Sequence, residues 1–135
     1  MLHKKNIRIL VADRSELMQK YIRRILQDDG YPNVVTADTG LEVIDQLKAS
    51  HVDCIVCCWD LPKIKGIDIL RNLRGMNRTR NIPFIMVTAK GGAEFLAQAR
   101  KFGVSAYVTK PFTPDTFKKA FISALVRHGH ISRAD

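Results

Sequence analysis

A chain of 135 residues with 46% hydrophobic side chains can build one core of ordinary size without disulfide staples. No apolar run approaches the roughly 20 residues that a bilayer span requires. Twenty-two Lys and Arg against thirteen Asp and Glu leave a formal charge of +9, which favours acidic partners; the basic residues are scattered and lack the interleaved aromatics that stack nucleic-acid bases, so nucleic acid is not the expected partner.

The N-terminus, Met1-Leu2-His3-Lys4-Lys5, has no leader pattern and is expected to run straight into a strand, in a cytoplasmic protein. Asn6-Ile7-Arg8-Ile9-Leu10-Val11-Ala12 reads as that strand, apolar to its end and therefore central. Asp13-Arg14-Ser15 turns into a helix with Ser15 as N-cap. Leu17, Met18, Tyr21, Ile22, Ile25 and Leu26 recur at three and four as its apolar stripe, with Lys20, Arg23 and Arg24 opposite. Gly30 closes the helix, and residues 33–37 form a short second strand. Thr39-Gly40-Leu41-Glu42 has capping-box spacing and opens a second helix, expected to bury Leu41, Ile44 and Leu47.

Asp53-Cys54-Ile55-Val56-Cys57-Cys58 is a third, buried strand that breaks at Trp59-Asp60. Leu61-Pro62 bars a direct run into helix, because the proline ring holds its predecessor extended. Cys54 and Cys57 have C-x-x-C spacing, but side chains alternate along a strand, so Cys54 and Cys58 should face one way and Cys57 the other. No second ligand pair exists for zinc, and buried reduced thiols are the better reading. A helix carrying Ile67, Leu70 and Leu73 follows, then a fourth strand over residues 83–88 and a Gly91-Gly92 connection. Phe95, Leu96, Ala99 and Phe102 mark the fourth helix, closed by Gly103. Residues 105–109 form the fifth strand, which leads into Lys110-Pro111-Phe112. Thr113-Pro114 caps the fifth helix, whose stripe is Phe117, Ala120, Phe121, Ala124 and Leu125. Residues 1–128 are read as one domain and 129–135 as a patternless tail; His3, His51, His128 and His130 show no metal spacing and are expected at the surface.

Five strands alternating with five helices imply an α/β fold, a doubly wound parallel sheet in three α/β/α layers. The flavodoxin-like (βα)5 order 2-1-3-4-5 suits this length. It brings the strand ends, Asp13, Cys58, Thr88 and Lys110, to one crevice beyond the carboxyl edge of the sheet. No glycine-rich phosphate loop follows the first strand, so an enzyme using a small cofactor is disfavoured.

These positions and their neighbours resemble the CheY-like receiver domain of bacterial two-component response regulators. The resemblance runs from Ile7 to about Leu125 and rests on Val11-Ala12-Asp13, Trp59-Asp60-Leu61-Pro62 with Gly66, Val87-Thr88-Ala89, and Tyr107-Val108-Thr109-Lys110-Pro111-Phe112. It implies a phosphorelay signalling role rather than an enzyme: a histidine kinase passes a phosphoryl group to an aspartate after the third strand, assisted by a divalent metal. It assigns Asp13 and the carbonyl of Asp60 to the metal, Thr88 and Lys110 to the phosphoryl group, and Tyr107 to a switch. It also implies a cis Lys110-Pro111 bond. Two positions depart from the pattern: Cys58 stands at the phosphoacceptor, and Ala12 at the first acidic residue.

The departures have a physical consequence. Magnesium wants hard oxygen ligands and a thiol is a poor substitute, so Mg²⁺ binding should be lost or weak and no cofactor is expected. Asp13 is left facing Lys110, and an ion pair between them would neutralise the crevice, with Lys63 and Lys65 adding positive potential nearby. The reading that follows is an atypical receiver acting through protein contacts without phosphorylation. Its surface would be the fourth helix, fifth strand and fifth helix, around Lys90, Tyr107, Lys118 and Lys119, meeting a histidine kinase or downstream effector. Two alternatives remain open: a redox sensor using Cys58, whose thiolate Lys110 would favour, and residual phosphorylation at Asp60.

Overall fold

Five short runs, each apolar over most of its length, make the middle layer of the fold, seen in a computed structural model that describes residues 2–132. Met1 and the last three residues of the expected tail, 133–135, lie outside the described residues. The strands are β1 (Ile9–Ala12), β2 (Val34–Ala37), β3 (Cys54–Cys57), β4 (Phe84–Thr88) and β5 (Ala106–Thr109). They pair in parallel in the order β2-β1-β3-β4-β5, as the alternation of elements predicts. The helices are α1 (Glu16–Asp28), α2 (Gly40–Ala49), α3 (Gly66–Arg74), α4 (Ala93–Lys101) and α5 (Pro114–Arg127).

Because successive strand residues face opposite ways, each strand feeds two cores. Ile9 and Val11 pack with Ile22, Leu26, Phe117 and Phe121 under α1 and α5. Leu10 and Ala12 pack with Val43, Leu70, Leu73 and Ala99 under α2, α3 and α4. The predicted caps form: the side chains of Ser15, Thr39 and Thr113 accept from the amides of Met18, Glu42 and Thr116.

Several local expectations fail for identifiable reasons. The chain does not run straight into β1: Lys4–Asn6 is a 3-10 turn, because the Ile7 amide donates back to the Lys4 carbonyl at 3.3 Å. In α1 the buried stripe is Ile22, Ile25 and Leu26 with Met18 at its edge, while Leu17 is 80% exposed and Tyr21 40%. Leu17 sits one residue round from Met18, about 100° off the covered face. In α2 Val43 is buried and Leu41 is half exposed. Gly40 abuts the carbonyl of Ile64, so the inward side of α2 begins at Gly40 and continues one turn on at Val43.

The histidines are more engaged than a surface placement implies. His128 Nε2 lies 2.8 Å from the buried Ser105 hydroxyl, and His130 Nε2 lies 3.0 Å from the Asp53 carbonyl. Burial first, then Arg74, holds His128 below its ordinary pKa. The segment after α5 is seated on the domain: the Leu2 amide donates to the His130 carbonyl, and Ile131 is buried in the α1–α5 core.

Candidate functional site

The sheet's hydrogen bonding continues one residue past the strands, and this sets the crevice. The Asp13 amide donates to Ala37, the Cys58 amide to Ala12 at 3.1 Å, and the Lys110 amide to Thr88 at 2.9 Å. Asp13, Cys58, Thr88 and Lys110 are thereby fixed at the carboxyl edge at which the topology places ligand sites.

Within it Asp13 and Lys110 are joined. Lys110 Nζ donates to Asp13 Oδ2 at 2.8 Å, with the aspartate side chain 2% exposed and the lysine 23%. The other carboxylate oxygen accepts from the Ser15 amide at 2.9 Å. A buried carboxylate is tolerable only when paired and hydrogen-bonded, and Asp13 has both. The bond between Lys110 and Pro111 is cis, as the resemblance implied.

Cys58 is buried beside this pair. Its sulfur does not share the core of Cys54: Cys57 and Cys58 both pack on the α2–α4 side. The expected alternation stops because β3 ends at Cys57. Desolvation raises the Cys58 pKa and the Asp13 charge adds to it; the Arg14 amide and Lys110 pull down and do not prevail. The group is therefore a neutral thiol at physiological pH.

The loop after β3 is held by close backbone packing. The Gly66 amide donates to the Trp59 carbonyl at 2.8 Å. A Cβ on Gly66 would sit 2.0 Å from the Cys58 carbonyl oxygen, so only glycine fits there. Lys63 holds a left-handed φ of 75°, uncommon for a non-glycine residue.

Asp60 and Tyr107 lie on a neighbouring flank around Lys90. Asp60, about half exposed, meets Lys90 Nζ at 3.4 Å, an interaction weak by its exposure. The Tyr107 hydroxyl donates to the Lys90 carbonyl, and the Lys90 amide to the Thr88 hydroxyl at 3.4 Å. Lys90 Nζ also lies 4.9 Å from the Phe95 ring, whose edge-to-face partner is Trp59 at 5.3 Å. Thr88 is thus tied both to the crevice, through Lys110, and to Tyr107, through Lys90. Adjacent to this flank, Leu96, Arg100, Tyr107 and Arg127 help to line a groove of about 610 Å³ between α4, β5 and α5.

Gln19 is a functional neighbour that the sequence reading missed. It is buried, and its amide donates to the Asp13 carbonyl at 2.7 Å and to Asp38 Oδ1 at 2.6 Å. The signal was available: Gln19 stands three and seven residues before Ile22 and Leu26, a polar side chain on an apolar stripe.

The side chains at the crevice present few free oxygen donors to a divalent cation. Among the described residues no three His, Cys, Asp or Glu side chains converge on a point where a metal could be held. Both oxygens of Asp13 are engaged, and its neighbours Ala12 and Cys58 offer a methyl group and a neutral thiol. An ammonium already occupies the charge-balancing position.

The family model described as "Response regulator receiver domain" matches residues 9–122. Chemotaxis protein CheY-3 of Vibrio cholerae is 36% identical over 115 residues, 85% of this chain and 88% of that protein. Chemotaxis protein CheY1 of Helicobacter pylori is 35% identical over 114 residues, 84% and 92% of the respective chains. Among solved structures, the chemotaxis response regulator CheY4 of Vibrio cholerae superposes with a TM-score of 0.81 at 25% identity, covering 88% of this chain and 98% of its own. A response regulator receiver domain protein from Clostridium thermocellum gives 0.76 at 28%, covering 91% and 97%.

Proposed function

The chain belongs to the response regulator receiver domain family, and from that premise we propose that it signals through protein contacts without accepting phosphate or holding magnesium. Receiver domains of two-component systems are signalling modules that meet histidine kinases and effectors. The observation that carries the degenerate reading is the Asp13–Lys110 pair. In a phosphorylatable site the transferring group and its metal need oxygen ligands and an in-line nucleophile; here Cys58 supplies a neutral, buried sulfur.

In this reading the contact surface is the α4–β5–α5 face. Its support is the chain of contacts from Lys110 through Thr88 and Lys90 to Tyr107, which ends at a groove whose lining includes Arg100 and Arg127. Lys118 and Lys119 lie on α5 and extend the positive charge of the same surface. With no phosphoryl group to draw Thr88 inward, any rearrangement of Tyr107 is driven by a partner's unequal affinity for two states.

Incubation with acetyl phosphate and magnesium is expected to leave the intact mass unchanged. Hydroxylamine-labile phosphate at near-stoichiometric level would refute the reading. The same experiment decides on Asp60, whose exposed side chain and loose pairing with Lys90 do not give the tight placement that in-line transfer needs.

Burial of all three thiols speaks against the redox alternative. The pKa values of Cys54, Cys57 and Cys58 are all raised, chiefly by desolvation. Alkylation by N-ethylmaleimide near pH 7.5 is therefore expected to be slow in the native protein and fast in denaturant. A single fast site, lost in Cys58→Ser, would restore the sensor hypothesis.

A further inference from the structure

A second groove, of about 440 Å³, lies between α2 and the end of α3, on a part of the surface that neither the crevice nor the α4–β5–α5 face uses. Its floor and walls are apolar, with Ile44, Leu47 and Leu73 inside and Met76 at the lip. Met76 is 50% exposed, one of few large apolar side chains left so open among the described residues. The rim carries Lys48 and Arg78, and no carboxylate is among the lining residues. The acidic residues of α2, Glu42 and Asp45, line a separate depression with Thr36.

The far wall is built in advance. After α3 the chain turns back on itself: the amides of Thr79 and Arg80 donate to the Met76 carbonyl at 3.2 and 2.9 Å. The Thr79 hydroxyl donates to the Leu73 carbonyl at 2.8 Å. A visitor would therefore meet a wall already ordered, which lowers the cost of association. Met76, unbranched and polarisable, can adapt to an apolar surface laid on it.

We propose that this groove docks an amphipathic helix with acidic flanks, supplied by another protein. Two observations select that occupant. The apolar trough between cationic rims matches an apolar helix face bordered by Asp and Glu. The net charge of +9 opposes a second copy of the same chain, since like-charged surfaces repel before apolar contact is made. The groove lies toward the C-terminal ends of α2 and α3, hence at the opposite edge of the parallel sheet from Asp13 and Lys110. The site is independent of whether the crevice accepts phosphate.

The probe is a fluorescein-labelled designed peptide of about 15 residues, Leu on one helical face and Glu beside it, titrated against the full chain by anisotropy. A peptide of the same apolar face with Lys in place of Glu is the comparison. The Glu peptide is expected to bind, and each of Met76→Glu and Arg78→Glu to weaken it by about tenfold. Lys48→Glu, on the opposite wall, should do the same. Arg24→Glu, an equal charge change on α1, away from both grooves, should leave affinity within about twofold. All four positions are exposed, and thermal melts check that the variants stay folded. Any of three results overturns the proposal: no binding of the Glu peptide, binding indifferent to Met76→Glu, or equal binding of the Lys peptide. Self-association of the parent chain in sedimentation, abolished by Met76→Glu, would also overturn it and assign the groove to a second copy.

Discussion

The double variant Ala12→Asp/Cys58→Asp is expected to bind magnesium about a hundredfold more tightly than the parent chain, a difference of about 2.8 kcal/mol. The two positions are neighbours across the sheet, since the Cys58 amide donates to the Ala12 carbonyl. Ala12 is the chain neighbour of Asp13, and Cys58 feels the charges of both Asp13 and Lys110, so the substitutions would add two carboxylates around a pair that now has one anion and one ammonium. Without a cation the three carboxylates repel and are partly desolvated, so the apo form of the double variant should also be less stable than the parent. Magnesium relieves that repulsion with the oxygen ligands it prefers. Each single variant should fall between parent and double. Calorimetric titration reads the affinities, and chemical denaturation with and without magnesium reads the linked stability. A folded double variant that takes up magnesium no better than the parent would show that carboxylates at these two positions are not enough to build a magnesium site.

The Asp13–Lys110 pair also bears on what the domain can do while no metal is held. Lys110 is the residue whose backbone bonds to Thr88, and its ammonium is committed to Asp13. In the reading proposed above, the flank around Lys90 and Tyr107 would be biased from outside, by a partner on the α4–β5–α5 face. A partner can shift that flank only by as much as its affinity differs between two arrangements.

The strand ends and their meeting point were readable in the chain because each depends on a local rule. Apolar runs of β length, each ended by a turn or a proline, fix the strands, and a parallel five-stranded order then forces Asp13, Cys58, Thr88 and Lys110 together. The ion pair was readable by elimination, since Asp13 is the carboxylate left facing Lys110 once Ala12 and Cys58 are set aside. What escaped depends on distant packing. Val43 rather than Leu41 is buried because the start of α2 meets Ile64, a residue of another loop. Asp60 turns to Lys90 because the β3–α3 and β4–α4 loops pass close together, which no periodicity encodes. Ile131 lies past the last helical stripe, yet its apolar side chain finds the α1–α5 core.

Gly66→Ala is expected to destabilise the fold by about 3 kcal/mol, in the range reserved for steric and backbone lesions at buried positions. The added methyl would stand 2.0 Å from the Cys58 carbonyl oxygen and 3.0 Å from the Cys57 sulfur. The first of these is a backbone atom and has no rotamer by which to withdraw. Relief requires α3 to move away from β3, which would stretch the 2.8 Å bond from the Gly66 amide to the Trp59 carbonyl. It would also open the packing of Ile67 and Leu70 against the α2–α4 core. Cys58 would shift with its carbonyl, so the crevice beside Asp13 would loosen in the molecules that remain folded. Gly75→Ala is the comparison: there the nearest atom to a new Cβ is 3.6 Å away and φ is −85°, so its effect should stay within about 0.5 kcal/mol. Urea unfolding of both variants, with the midpoint shift read at constant slope, separates the two cases. A Gly66→Ala protein as stable as Gly75→Ala would mean that the β3–α3 turn tolerates a side chain and that its tight closure does not hold Cys58 in place.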